Sequence, residues 1–384
     1  VRSTQRGPRL DPVDHPGVAG TSSSVHFSRS LVGPMCGIIA VVRRPSTRRP
    51  PSQAEVTDHL ERAQQLLGGL SEAVSSGEGL GDVLTAAAAE VLAADTLLRG
   101  VAGVRAMLDD SLLVPAAAGA VAHLDDQATR LERRLDADAA LPLGQLERVN
   151  AALIALKDAI WAIRRDRLRA VDGVRSLIGT GVGPSGIAVA LSVHQALSAL
   201  DRLEVRGRDS AGLHLLLRGH GLDLASPSIR ELVEARACDP FFASMAARSP
   251  DGHLSLVYKA AAEIGELGDN TRELRRAMAT DLLLRQALRA EAVEAVVLGH
   301  TRWASVGIIS QANAHPLNSE ELGFVDGPYV TAVLNGDVDN FADLKANEGL
   351  RIAEEITTDA KVIPTLTSRT MADGTDVVEA FRST

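Results

Sequence analysis

Apolar residues recur at steps of three and four through the first half of the chain, and in short unbroken runs near its start and through its second half. The stepped pattern dominates residues 53–172. Val121, Leu124, Ala128, Leu131 and Leu135 form one seam; after Pro142, Leu146, Val149, Leu153, Leu156, Ile160 and Ile163 form another. Two seams joined by a short break predict an antiparallel helical hairpin. An earlier helix is marked by Leu60, Ala63, Leu66, Leu67, Leu70 and Val74. Residues 36–43 (CGIIAVVR) form an apolar run of strand length, and LHLLL near residue 215 is a second strand candidate. A helical pattern returns from Ile187 to Leu203 and again at about 254–266 and 270–292. VVLGHTRWASVG is a strand then a loop, YVTAVLNGD a strand then a turn, and LKANEGLRI a short helix and turn. Strands on both sides of a long helical interruption predict an α+β layered fold.

Composition shifts divide the chain. Residues 1–34 are rich in Ser, Pro, Gly and Arg, lack an apolar period and are expected to be disordered. The first methionine is Met35, immediately before Cys36. The leading segment is therefore expected to be a mis-called start, with translation beginning at Met35, or a leader removed as a propeptide. RRPSTRRPP is a linker; residues 44–186 form a helical insertion, and 36–43 together with 187–384 form the second body. Gly181, Gly183 and Gly186 have dinucleotide-binding spacing, but no strand precedes them and Pro184 sits inside the turn. That context favours a linker over a phosphate cradle.

With 45% hydrophobic and 23% charged residues in 384, the composition is that of a globular protein, and 3% aromatics leave the core to aliphatic and alanine packing. A net charge of -9 supplies no attraction for DNA, RNA or an anionic membrane, so no nucleic-acid or membrane partner is expected. Apolar stretches are too short to span a bilayer. Cys36 and Cys238 are the chain's two cysteines, far apart and without metal-ligand spacing. No disulfide framework, metal or other cofactor is expected, and a reducing cytoplasm is the simplest compartment. Cys238 lies outside every motif and is read as inert.

Cys36 is the candidate nucleophile. A thiol near neutrality is mostly protonated and needs a base. If Met35 is removed, the base can be the residue's own α-amine, whose ordinary pKa of about 7.7–8.0 suits the task. Standing alone, Met-Cys-Gly favours the plainer reading of a small buried hydrophobe beside a strand. Further segments change that balance: RGRDSAG at 206–212, GHTRWAS at 299–305, NAHP at 313–316, LNG at 334–336 and TD at 358–359. Following the cysteine in this order, they resemble the class II (N-terminal nucleophile) glutamine amidotransferases, and GHTRWAS resembles the glutamine–fructose-6-phosphate aminotransferase branch.

The resemblance implies an αββα sandwich, C-terminally incomplete here, whose unfinished second sheet leaves an apolar face uncovered. It implies that Cys36 attacks the side-chain amide of glutamine, with Asn335 and Gly336 as oxyanion donors. Arg302 would bind the substrate α-carboxylate and Asp359 its α-ammonium, with Trp303 and Ser305 in the loop that closes over glutamine. Arg206 and Asp209 would be structural support, as an ion pair or turn brace, and His315 and His300 would shape the loop. The ammonia would serve glucosamine 6-phosphate synthesis from fructose 6-phosphate on sugar-isomerase domains absent from this chain, with a homodimer as the candidate assembly. Ser305 and Val306 stand where the family usually carries Thr and His, and Ala360-Lys361 where a hydroxyl residue and an acid are usual. These departures keep open a non-catalytic glutamine-binding or regulatory module, or an inactive truncated fragment.

Overall fold

Gly37–Val42 forms the strand its apolar run predicts (β1). Ser210–Arg218 (β2), Ala247–Arg248 (β3), Leu254–Ala260 (β4) and Glu294–Arg302 (β5) join it in one sheet, ordered β1-β5-β2-β4-β3 and antiparallel throughout. The computed structural model describes residues 36–71, 79–137, 141–237, 242–261, 266–323 and 327–384. The leader 1–34, Met35, Val74 and Cys238 lie outside them.

Side chains alternate across the sheet, so each strand contributes to two faces. Ile39, Val41, Leu213, Leu215, Leu256, Tyr258 and Val297 point to one face and pack into a core with two helices, Pro184–Leu203 (α7) and Asp269–Thr280 (α9). The buried Glu204 carboxylate accepts the Thr271 N–H at 3.0 Å and so satisfies the first turn of α9. β4 corrects the helix expected over 254–266. All seven of its residues are buried, and a short strand covered on both faces has no alternation to separate it from a helix.

Between β1 and α7 lie Gln53–Gly68 (α1), Leu80–Leu98 (α2), Gly100–Asp109 (α3), Leu113–Ala137 (α4), Leu143–Trp161 (α5), a π-helical segment Ala162–Leu168, and Arg169–Leu177 (α6). Ser52 and Glu55 start α1 with a reciprocal capping box. The predicted hairpin is α4–α5, crossed by a Lys157–Glu132 ion pair at 2.7 Å; Arg164 of the π-helical segment adds a pair to Asp125 of α4 at 2.6 Å. Its seams, however, are buried mainly against other helices: α4 packs most closely on α1, and α5 on α2. α1, α2, α4 and α5 thus share a core, a pairing the sequence reading of a hairpin and a separate earlier helix missed because the partners are distant in sequence. The insertion is also less separate than its sequence boundaries suggest. Val101 and Val104 of α3, with Ala170, Val174 and Leu177 of α6, belong to the core beneath the sheet. α7 starts at Pro184, and a Cβ on Gly186 would lie 2.0 Å from the Leu288 carbonyl oxygen. That glycine serves helix packing.

After β2 come Pro227–Ala237 (α8), then β3, β4, α9, Leu282–Ala287 (α10) and β5. Beyond β5 the chain is mostly loop. Leu317–Asn318 (β6) and Thr331–Ala332 (β7) form a second ladder of two residue pairs, where a full strand was expected over YVTAVLNGD. Phe341–Asn347 (α11), Val362–Ala372 (α12) and Val377–Ser383 (α13) follow. Part of the sheet's second face is covered by Tyr329 of this segment together with Phe242, from the stretch before β3, which sit over Val257 and His214. At the other end Ile38, Val42 and Val296 are 44%, 74% and 44% exposed. Among the described residues no helix is long and apolar enough to cross a membrane.

Val42 and Val296 are directly paired across β1 and β5. Val42→Lys combined with Val296→Glu is expected to keep stability within about 0.5 kcal/mol, as for surface substitutions generally. Binding of a hydrophobic dye should fall. A clear loss of stability in denaturant titration would mean that this face is packed after all.

Candidate functional site

The site grows from the ends of two neighbouring strands. Gly37 pairs with Thr301 across β1 and β5, so Cys36, one residue before β1, meets Trp303, one residue after β5. The Trp303 N–H donates to Cys36 Sγ at 3.3 Å, and the thiol lies 3.7 Å from the Trp303 carbonyl oxygen. This contact uses the Trp303 backbone; its indole is 40% exposed. Gly37 is required by close approach, since a Cβ there would come within 2.6 Å of Leu203 Cβ and 2.8 Å of Thr301 Oγ1. Burial pushes the Cys36 thiol above its ordinary pKa, while the Trp303 N–H and the Arg302 charge pull it down. The carboxylates of Asp337 and Asp209 push it up further.

Arg302 is buried at the end of β5, and burial lowers its pKa, offset by Cys36, Asp359 and Asp209. Its guanidinium donates to the Val306 carbonyl and to the Ile308 carbonyl at 3.2 Å, drawing the 303–308 loop over itself. Asp359 is equally occupied: its carboxylate accepts the Val338 N–H at 2.6 Å and the Ala360 N–H at 2.9 Å. Ser305 Oγ donates to Asp337 at 2.6 Å, so the loop is tied to the residue after the Asn335–Gly336 turn. Asn335 and Gly336 are exposed, and neither hydrogen-bonds to Cys36. The turn is placed beside the thiol through Asp337.

The RGRDSAG segment supports this arrangement from behind. Asp209 accepts the Ala304 N–H at 2.8 Å, and its own N–H donates to the Arg302 carbonyl at 3.1 Å. Arg206 is exposed and joins no ion pair among the described residues, the Asp209 carboxylate being turned to the Ala304 backbone; its own N–H donates to the Leu203 carbonyl at 2.9 Å in the turn that ends α7. A Cβ on Gly212 would sit 2.0 Å from the His315 carbonyl oxygen, so the strand accepts only glycine there. His315 and His300 are stacked with ring centroids 4.4 Å apart. His300 Nε2 donates to the Leu334 carbonyl at 2.8 Å, and His315 Nδ1 accepts the Leu334 N–H at 3.3 Å. Two buried imidazoles therefore grip both backbone groups of the residue preceding Asn335.

Two contributors were not singled out in the sequence. Asp337 anchors Ser305 and follows the LNG motif directly. Asn313 opens NAHP; its amide oxygen accepts the Thr357 and Thr358 N–H groups at 2.7 and 2.9 Å, pinning the segment that presents Asp359. The motif was the available signal for Asn313; nothing local marks Asp337. No group of three or more His, Cys, Asp or Glu among the described residues is placed to hold a metal. What the arrangement offers is one thiol, flanked by a buried cation, two carboxylates and the 303–308 loop.

Comparison with known proteins points the same way. The chain is 36% identical over 129 residues to glutamine–fructose-6-phosphate aminotransferase (isomerizing) from Caulobacter vibrioides, covering 33% of this chain and 20% of that protein. It is 36% identical over 101 residues to the enzyme of the same name from Halalkalibacterium halodurans, covering 26% and 16%. For Geobacillus kaustophilus the figures are 38% over 89 residues, covering 23% and 14%. The matched region thus spans at most a fifth of the length of these curated relatives. No known family profile and no solved structure matches the chain. These aminotransferases are its sequence relatives, and relatedness to enzymes of that name is the conclusion the comparison carries.

The buried histidines make the fold acid-sensitive. Burial pushes His300 from 6.5 down to about 4, with Arg302 adding to it and the Leu334 carbonyl opposing. His214, between Ser255 and Lys259, is pushed to about 3. Between these values and 6.5 the unfolded chain binds more protons than the native one, so stability present above pH 6.5 is lost as pH falls through about 4. His300 alone accounts for on the order of 3 kcal/mol of that loss. Urea midpoints measured from pH 7.5 to 4 should fall over this window, less steeply in His300→Gln. A flat profile would contradict neutral, buried imidazoles.

Proposed function

We propose that the chain is a glutaminase of the N-terminal nucleophile class, built on an αββα sandwich, and acts as the ammonia-producing part of a fructose-6-phosphate aminotransferase. The observation that carries this reading is the placement of Cys36 Sγ on the Trp303 backbone, beside Arg302 and the 335–337 turn.

The reaction would run as follows. With residues up to Met35 removed, the Cys36 α-amine takes the thiol proton, and the thiolate adds to the amide carbon of glutamine. The resulting oxyanion is met by the Asn335 side-chain amide and the Gly336 N–H; one such donor is typically worth about 2.7–4 kcal/mol. The α-ammonium then returns its proton to the amide nitrogen. The C–N bond breaks, ammonia leaves and a glutamyl thioester remains. Water, activated by the same amine, hydrolyses it to glutamate. Arg302 would exchange the Val306 and Ile308 carbonyls for the substrate carboxylate, a contact suited to a guanidinium fork. That exchange would free the 303–308 loop, carrying Trp303 and Ser305, to fold onto bound glutamine, with Asp359 facing the substrate ammonium. Fructose 6-phosphate would be met on sugar-isomerase domains elsewhere.

A second reading is favoured by one feature: Arg302 and Asp359 already satisfy loop groups, and the thiol is held above its ordinary pKa. On that reading the fold binds glutamine without turning it over and serves as a regulatory module.

The two readings separate in one experiment on protein starting at Cys36. Glutamate release from glutamine should be abolished, at least a thousandfold, in Cys36→Ala. A folded, correctly processed sample with no thiol-dependent turnover removes the glutaminase reading. Glutamine raising the melting temperature of that same sample without being consumed would establish the regulatory one.

A further inference from the structure

A groove of about 810 Å³ runs between the π-helical segment and α6 on one side and α7 and the start of α9 on the other. It lies where the helical insertion meets the helices that back the sheet, away from the residues around Cys36. Six arginines line it, in a chain whose acidic residues outnumber its basic ones by 49 to 40. Three have their charge matched: Arg167 pairs with the buried Asp95 at 2.7 Å, Arg202 with Asp166 at 3.6 Å, and Arg272 with Asp269. The other three, Arg165, Arg169 and Arg275, form no ion pair with any described residue.

Arg275 is half-buried, and its polar contacts are two long ones, to His194 Nδ1 at 3.5 Å and Ser198 Oγ at 3.4 Å. Burial lowers the pKa of both Arg275 and His194, and the nearby Arg169 charge adds to it. The Asp201 carboxylate, which also accepts the Thr271 hydroxyl at 3.0 Å, faces Arg275 and offsets part of its charge without forming an ion pair with it. His194 is backed by α6, for a Cβ on Gly173 would lie 1.9 Å from its Nδ1. Its imidazole therefore packs directly on the Gly173 backbone in the groove wall. The π-helical segment is a further sign, since an i→i+5 turn is costly and such turns concentrate at functional sites.

Six guanidinium groups against two lining carboxylates, Asp166 and Asp201, leave an excess of positive charge in the concavity, which an anionic ligand would offset. Guanidinium groups converging on one space match the oxygens of a phosphate, and the volume is that of a small-molecule site. We propose that this groove binds a phosphomonoester dianion, carried on a small molecule, through Arg169 and Arg275 with His194 and Ser198 as neutral hydrogen-bonding partners. The site is independent of the proposed chemistry at Cys36.

The test uses the full chain and three probes, inorganic phosphate, glucose 6-phosphate and adenosine monophosphate, with glucose and adenosine as controls. At least one phosphate-bearing probe should raise the melting temperature and bind by calorimetry, while the unphosphorylated controls do neither. Which probe binds best distinguishes free phosphate from a phosphorylated sugar or nucleoside. Arg169→Gln with Arg275→Gln should weaken that binding by about tenfold or more, the usual consequence of losing charge-assisted contacts. Because Arg275 is half-buried, a readout on the unaltered protein stands beside the variant: the bound probe should protect Arg169 and Arg275 from phenylglyoxal, as mapped by mass spectrometry. Absence of binding by all three probes overturns the proposal. So does protection confined to other arginines, or binding that survives in a folded double variant. Binding of a polyanionic polymer alone would equally overturn it, in favour of a macromolecular partner.

Discussion

The register of β1 on β5 is the constraint on which the candidate site depends. With Gly37 opposite Thr301, the thiol of Cys36 falls against the backbone of Trp303. A slip of one residue would turn every β1 side chain to the opposite face and carry the sulfur away from the loop. Three contacts hold the register. The Gly37 N–H donates to Thr301 Oγ1 at 3.2 Å, Ile39 and Val41 enter the core, and the missing Cβ at Gly37 allows close approach to Leu203. Because β5 is shared with β2, the same strand that positions the thiol also positions Asp209 behind the loop.

Around that strand the protein uses buried polar groups to shape backbone that has little regular structure. His300 and His315 hold Leu334, Asn313 holds Thr357 and Thr358, and Arg302 holds the 303–308 loop. Loops of this kind cannot satisfy their own N–H and C=O groups, and a buried side chain that does so substitutes for a ladder. The cost is desolvation. It keeps both imidazoles neutral and leaves His300 Nδ1 and His315 Nε2 without partners among the described residues. Arg302 is thereby both brace and candidate ligand-binding group, and the two uses exclude each other in any one state.

The helical insertion meets the sheet domain through α3 and α6, whose apolar residues enter the core under the strands. Its remaining helices form a core of their own. Arg167, paired with Asp95 of α2, ties the π-helical segment to that bundle. The groove with the unmatched arginines thus has one wall anchored in the insertion and the other, α7, leading directly into the Arg206–Asp209 loop.

Much of this was legible in the sequence. The strand after Cys36, the helices of the insertion and the strand ending at Arg302 follow from local period, and the ordered motifs mark the segments that gather round the thiol. Local pattern failed where burial on both sides erased it, as in β4, and where a seam's partner was far along the chain, as for α4 on α1. The sequence alone determined which residues could carry chemistry, because thiol, guanidinium and carboxylate are properties of residue type. Only the tertiary structure decided how they are engaged. It turned Arg302 and Asp359 toward loop backbone, left Arg206 in solvent, recruited Asp337 and Asn313, and set Arg169 beside Arg275. Those outcomes depend on which unpaired groups meet when distant segments are buried together, and no short stretch of sequence encodes that.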